Sequence, residues 1–326
     1  MIDLTVSEEQ QEIGASVRDV LTKAMPIEVV RKLAADKDRP AVDPALWSRL
    51  TELGWLGLGV PEELGGVGLG LPEEATVFVE LGRALAAGPF RSGAIAAFVA
   101  AGARDEELVQ AVISGERRVG LVAGRLAVDA HAGDLALTIG PEGAAVVEVL
   151  AVEPVEGVDP GCRFGVPSLG ATLAELPGPA VLTRARVLAA AELLGVVEAL
   201  RDMSASYAQS RTQFGKPIGT FQAVKHRCAD MAVAAYAIRA QTFFAAVAAE
   251  GGEPDADFQA AGAYVLATRG ARQTAADAIQ VHGGIGFTWE HDAHLYLKRA
   301  LLLERLHGDR RGHLRAVLAP TAHEFG

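Results

Sequence analysis

The sequence predicts a mostly helical protein with a small β-domain in its middle, and three observations predict it. Apolar residues make up 50% of the 326 positions and charged residues 22%, which supplies a core and excludes wholesale disorder. The C-terminal half carries long Ala-rich runs with few breakers. Between residues 117 and 182 the pattern switches to short β-type runs separated by Gly, Pro and Asp. At roughly 150 residues per domain, this length fits about two domains, or one large one with subdomains.

Residues 1–116 read as an N-terminal helical domain. Thr5 or Ser7 can cap a helix whose first turn carries Glu8 and Glu9. Leu46, Leu50, Leu53 and Leu56 recur at three- and four-residue spacing, which predicts one face of an amphipathic helix. Gly65-Gly66-Val67-Gly68-Leu69-Gly70 reads as turn punctuation, because it lacks a preceding strand and the G-x-G-x-x-G spacing of a dinucleotide fold. Pro72-Glu73-Glu74 then restarts a helix, with Pro near its first turn.

Residues 117–182 form the reduced β-domain, with strands expected over 119–122, 135–139 and 145–152. The stretch 144–149 is nearly all apolar, so at least one strand is expected to be buried on both faces. Residues 183–326 return to helix, with segments expected over 187–209, 221–249, 258–281 and 292–306. Long helices with short connections predict an antiparallel four-helix bundle. Gly251-Gly252-Glu253-Pro254 breaks the second helix from the third. The segments 187–209 and 258–281 look apolar on more than one face, which predicts an obligate oligomer joined through the bundle.

Composition narrows the partners. A net charge of −11 argues against a general nucleic-acid binder. No apolar run reaches the ~18 residues of a membrane helix, and the N-terminal stretch lacks the basic and apolar regions of a signal peptide. Cys162 and Cys228 make neither a disulfide framework nor a zinc site, so a reducing cytoplasm is expected.

Two segments suit chemistry. Arg211-Thr212-Gln213-Phe214-Gly215-Lys216-Pro217-Ile218-Gly219 sits between two long helices, where a guanidinium and free helix N–H groups suit a phosphate or pyrophosphate. Phe221-Gln222 follows with an aromatic face and an amide. Gln280-Val281-His282-Gly283-Gly284-Ile285-Gly286-Phe287 ends a helix with more glycines than one C-cap needs, which permits close approach of a ligand. His291 and His294, with Glu290 and Asp292, have metal-like spacing but no third ligand nearby, so no metal is expected.

At this point the chain resembles the acyl-CoA dehydrogenase family. Three segments carry the resemblance. The first is Leu46-Trp47, Glu52-Leu53-Gly54-Trp55-Leu56-Gly57-Leu58, Val60-Pro61-Glu62-Glu63 and the glycine run at 65–70. The second spans 211–222. The third spans 280–290 and continues into His294-Leu295-Tyr296 and Lys298-Arg299-Ala300. The family fold is a helical N-terminal domain, a middle β-barrel and a C-terminal four-helix bundle. The resemblance implies FAD as cofactor and acyl-CoA thioesters as substrates. In the family a carboxylate takes the α-proton, the flavin takes the β-hydride, and electrons leave through an electron-transfer flavoprotein. It also implies that Arg211, Gln213, Phe214, Gln222, Gln280, Gly283 and Gly284 face the pyrophosphate and adenosine end of a neighbouring subunit's FAD.

The chain departs from the family at two places. Its middle domain is considerably shorter, and it has neither a Thr-Glu-Pro-x-x-Gly-Ser-Asp strand nor a Trp-Ile-Thr segment to wrap a flavin ring. The catalytic base is also missing. His307 occupies the usual glutamate position, and the alternative position holds Ala185 beside Arg186, a candidate substrate contact. The resemblance extends to truncated, base-lacking subunits of actinobacterial heteromeric dehydrogenases that shorten steroid side chains. Three readings stand. The chain is a subunit sharing FAD with a homologous full-length partner, or a self-sufficient homo-oligomeric flavoenzyme using His307 or another non-glutamate base, or a CoA-thioester- or partner-binding protein without redox chemistry.

Overall fold

The computed structural model describes residues 7–36, 40–308 and 310–318. Its N-terminal helices are α1 (Glu8–Ala24), α2 (Ile27–Ala35), α3 (Pro44–Thr51), α4 (Leu71–Arg83), α5 (Phe90–Gly102) and α6 (Glu106–Ile113). Ser7 caps α1 through a capping box, its hydroxyl accepting from the Gln10 N–H while the Gln10 side chain accepts from the Ser7 N–H. The alternative cap, Thr5, lies outside the described residues. Pro72 stands in the first turn of α4, where its missing N–H costs nothing.

One helical expectation fails here. The leucines at 46, 50, 53 and 56 do not share a helix face, because α3 stops at Thr51 and the chain turns through Gly54 at φ 78°. Leu56 goes on to a short 3-10 turn and is buried, whereas Leu53 is 47% exposed. The left-handed glycine ends a periodicity that spacing alone would have continued.

The middle of the chain holds β1 (Val119–Ala123), β2 (Leu126–Val128), β3 (Leu135–Gly140), β4 (Gly143–Val155) and β5 (Phe164–Pro177), closed into a barrel of order β1-β2-β5-β4-β3. The expected strands are present, but β4 is longer than expected, and β2 and the long β5 escaped the sequence reading. Gly165, Pro167 and Gly170 blur the alternation in β5, yet it pairs with β4 from one end to the other. Leu135, Ala136 and Leu137 of β3 are all buried, as are Val119, Gly120 and Leu121 of β1, so both strands are enclosed on both faces there.

The C-terminal half holds α7 (Ala180–Ser210), α8 (Gln222–Glu250), α9 (Ala256–His282), α10 (Ala293–Leu303) and α11 (Arg310–Leu318). A two-stranded hairpin of β6 (Thr212–Gln213) and β7 (Lys216–Pro217) joins α7 to α8. The first long helix starts at Ala180, seven positions before the expected 187. It crosses α4 with the backbones nearly touching: a Cβ on Gly82 would meet the Glu192 carbonyl oxygen, and one on Gly195 the Val79 carbonyl oxygen, each at 1.9 Å. Buried on almost every side along residues 181–197, α7 is the central helix of this chain.

That burial corrects the reason given for oligomerisation. The apolar faces of α7 and most of α9 are absorbed by α4, α8 and one another. The exposed apolar stripe lies on α8, at Val233 and Tyr236, the latter 78% exposed. Among the described residues, α8 is also the one helix long and apolar enough to cross a bilayer, and here it packs against α7 and α9.

Candidate functional site

The Arg211 segment is built by the end of α7. The Arg211 N–H donates to the Tyr207 carbonyl oxygen at 2.8 Å, and its own carbonyl accepts from the Ile218 N–H at 2.8 Å, closing the β6–β7 hairpin. Phe214 and Gly215 make its two-residue turn at φ 51° and 78°, the twist a tight hairpin requires. Phe214 is 91% exposed and meets Phe221 edge-on at 6.0 Å, while Lys216 Nζ lies 4.7 Å from the Phe221 ring centroid. Phe221 caps α8, so Gln222 begins that helix with an exposed side chain. The Gln213 amide donates to the Thr212 carbonyl oxygen at 2.9 Å. The Arg211 guanidinium is exposed and makes no ion pair or side-chain hydrogen bond among the described residues.

The Gln280 segment ends α9. Gln280 is exposed, and Gly283 follows at φ 62° and ψ −138°, a conformation that only glycine adopts without strain. A Cβ on Gly284 would touch nothing, so the backbone is open to a ligand there. Between them lies His282, whose role spacing alone did not reveal. It is buried, with Nδ1 2.7 Å from the Ala278 carbonyl oxygen and Nε2 without a partner. Its ring stacks between Tyr207 at 4.4 Å and His291 at 4.0 Å. Tyr207 belongs to the last turn of α7, so the stack ties the Arg211 hairpin to the Gly283-Gly284 turn at one end of the bundle. Burial pushes the His282 pKa down and favours the neutral ring that stacks.

The two base positions lie elsewhere. Ala185 is fully buried in α7. Arg186 is buried too and pairs with Asp257 at 2.5 Å, fastening α7 to α9. Its Nη1 is engaged within the chain, while its Nε has no partner among the described residues. His307 follows α10 and meets Tyr264 edge-on at 6.0 Å. The residue is partly exposed, yet both ring nitrogens are shielded from solvent and lack hydrogen-bond partners. Burial, then the charges of Arg91, His313 and Arg186, pushes its pKa well below the ordinary histidine range. Glu304 turns toward Arg272 at 3.9 Å.

Beside His307 the interior is filled by charge. Glu192 of α7 binds Arg91 of α5 and, at 3.2 Å, Arg299 of α10; Arg299 also binds Asp159, in the loop between β4 and β5. Burial works against the Arg299 charge, but Asp159 and Glu192 hold its proton firmly. Asp129, close by, is pushed up to about 6 by burial. The cavity that Arg91, Asp129, Glu192 and Arg299 line with Leu303 and Leu306 holds only about 50 Å³.

His291 and His294 do not converge. His291 faces His282, while His294 meets Trp289 edge-on at 4.8 Å, and no group of three metal-binding side chains occurs among the described residues.

Comparison with known proteins decides the family. The family model for the acyl-CoA dehydrogenase N-terminal domain matches residues 7–107, and that for the C-terminal domain matches residues 179–319. The chain belongs to the acyl-CoA dehydrogenase family. It is 35% identical to acyl-CoA dehydrogenase IpdE2 of Mycobacterium tuberculosis, over 91% of this chain and 92% of that protein. Its fold overlays one chain of the ChsE4-ChsE5 complex from Mycobacterium tuberculosis with a TM-score of 0.83 at 28% identity, covering 100% of this chain and 100% of that one. It overlays the Tcur3481-Tcur3483 steroid ACAD with a TM-score of 0.80 at 28% identity, covering 96% of this chain and 97% of that one.

The FAD of acyl-CoA dehydrogenases fits one part of this chain and not another. At the bundle end, a guanidinium without a partner among the described residues, exposed aromatic rings and an open glycine backbone have the chemistry to suit a pyrophosphate and a flat heterocycle. At the buried charge cluster there is room for about one or two waters, against the roughly 300–1,000 Å³ of small-molecule sites.

Proposed function

We propose that this chain is a subunit of a hetero-oligomeric, FAD-dependent acyl-CoA dehydrogenase. It lends its Arg211 hairpin and Gln280 turn to the FAD of a longer homologous subunit, which provides the catalytic carboxylate and the flavin-ring pocket. The observation that carries this reading is the filled centre: the family's base position is a buried, unbonded imidazole beside an ion-pair chain and a cavity of about 50 Å³. A chain that had simply lost activity would have no reason to keep an open cofactor-facing edge.

Arg211 would hold the pyrophosphate charge, Gln213, Gln222 and Gln280 would present amides to the adenosine end, and Phe214 would cover it. Gly283 and Gly284 would let the backbone approach. FAD, when bound, accepts the hydride from the β-carbon of the acyl thioester. Electrons would then leave the complex to an electron-transfer flavoprotein. Both solved relatives are named as two-component assemblies, and one is named a steroid ACAD, which supports a bulky steroid side-chain CoA as substrate.

Co-purification with a full-length homologue tests this. The expected titration is half as many flavins as chains in the complex, and no flavin on this chain alone. Removing the partner's carboxylate lowers turnover by ~10²–10⁴, whereas His307→Ala leaves it near the starting value. One flavin per chain, or a large loss on His307→Ala, would return the function to a self-sufficient enzyme.

A further inference from the structure

A further opening lies away from the cofactor-facing end and borders the ion-pair chain at Asp159 and Cys162. It is a cleft of about 640 Å³ between α2, the outer end of the β4–β5 ribbon and the start of α10. That volume falls within the range of small-molecule sites. Leu33 of α2, Val152 and Val155 of β4, and Phe164 of β5 give it an apolar wall.

Two side chains give the cleft a chemistry. Trp289 is 69% exposed, while the other two tryptophans, Trp47 and Trp55, are buried in the core. Its indole separates this cleft from a second one of about 350 Å³ lined by Arg31, Ala34 and His294. Lys298 reaches over the indole, with Nζ 4.2 Å from the ring centroid. Among the described residues no carboxylate lies within ion-pair distance of it.

The other charged groups around the cleft are already engaged. Asp159 is bound to Arg299, and His131 to Asp134 at 3.1 Å. The Arg163 guanidinium donates to the carbonyl oxygens of Pro160, Cys162 and Leu33. Glu156 sits exposed on the rim with contacts of its own. Lys298 alone has only an aromatic face for a partner. An ammonium has three donors, and a ring satisfies none of them as a carboxylate would. A half-buried cation over an apolar floor complements a molecule that is anionic at one end and apolar along its body.

We propose that this cleft binds an amphipathic organic carboxylate, with the carboxylate on Lys298 and the apolar body along Trp289 and the ribbon. The site is independent of the shared-FAD reading, because none of its residues belongs to the cofactor-facing end.

Decanoate is a suitable probe, titrated calorimetrically into the purified full chain or into whatever complex it forms. Saturable binding is expected, weakened roughly tenfold or more by Lys298→Gln, because a charged hydrogen bond is lost. Trp289→Ala weakens it as well by removing the indole floor. Decanol, which keeps the tail and loses the charge, binds at least tenfold more weakly than decanoate. An unchanged melting temperature in each variant shows that the fold is intact. No saturable decanoate binding, equal binding by wild type and Lys298→Gln, or equal affinity for decanol would overturn the assignment.

Discussion

Two regions of this chain have opposite character. At the end of the bundle, Arg211, Gln222 and Gln280 face outward with unused hydrogen-bonding groups around an open glycine turn. Around His307, the polar groups are turned inward and joined to one another through Arg91, Glu192, Arg299 and Asp159. The first region costs little to keep open, because water solvates it until a ligand arrives. The second could not be left as an empty apolar hole lined by charge, since each buried unpaired ion would cost several kcal/mol. On the proposed reading, the difference teaches that a centre relieved of its ligand is packed as a core, whereas an edge that would serve a neighbour stays open.

The strongest way to break the comparison is to attack the filled centre. Arg299→Ala leaves Asp159 buried without its cation, leaves Glu192 with Arg91 alone, and strips the Ala86 carbonyl oxygen of a donor. The expected loss is about 3–5 kcal/mol of stability, read as a fall in the urea midpoint. A combined Arg299→Met and Asp159→Leu replacement recovers part of that loss, since well-packed apolar pairs replace buried ions at little cost. If Arg299→Ala were as stable as wild type, the centre would not be a core at all.

A smaller effect is expected at the open end. Arg211→Ala removes a solvated cation with no partner among the described residues, so the fold keeps its stability. Flavin retention by the assembled complex falls, by an amount equivalent to about 1.5–3 kcal/mol. His282→Ala unstacks Tyr207 from His291 and also lowers flavin retention, while His282→Phe keeps the stack and restores most of it. Flavin occupancy unchanged by Arg211→Ala would remove the shared site. A normal occupancy with His282→Ala alone would leave the site and remove only the stack from it.

These regions were unequally legible in the sequence. The helices of the bundle were readable because Ala-rich runs without breakers admit few other structures. The start of α7 was misplaced because the residues that precede position 187 gain their helical state from packing under α5 and α4. Strand β5 was invisible because its glycines and proline weaken the local pattern, and only pairing with β4 supplies its hydrogen bonds. Arg211 and Gln280 stood out through local motifs. The charge chain did not, because Arg91, Asp159, Glu192 and Arg299 come from four separate elements and no local spacing links them. His282 carried one signal that spacing offered, a ring at the last position before two glycines, but its stack needs Tyr207 from another helix.

The smallest expected effect sharpens the comparison through pH. His307 is held neutral by burial and by the neighbouring charges of Arg91, His313 and Arg186, with Tyr264 against its ring. Its folded pKa therefore lies below the ordinary value of ~6.5, which the unfolded chain keeps. Below that pH the unfolded state binds a proton that the folded state refuses, so stability falls as the solution is acidified. The slope approaches one proton, about 1.4 kcal/mol per pH unit, from near pH 6.5 downward. His307→Phe keeps a ring against Tyr264 and removes the proton, so the variant loses less stability than wild type between pH 6.5 and 5. His282 contributes in the same direction in both proteins, and it cancels from the difference. Parallel curves for the two would mean that the imidazole is solvated and charged when folded, and a charged, hydrated ring there would place water in the centre that the ion-pair chain is expected to keep dry.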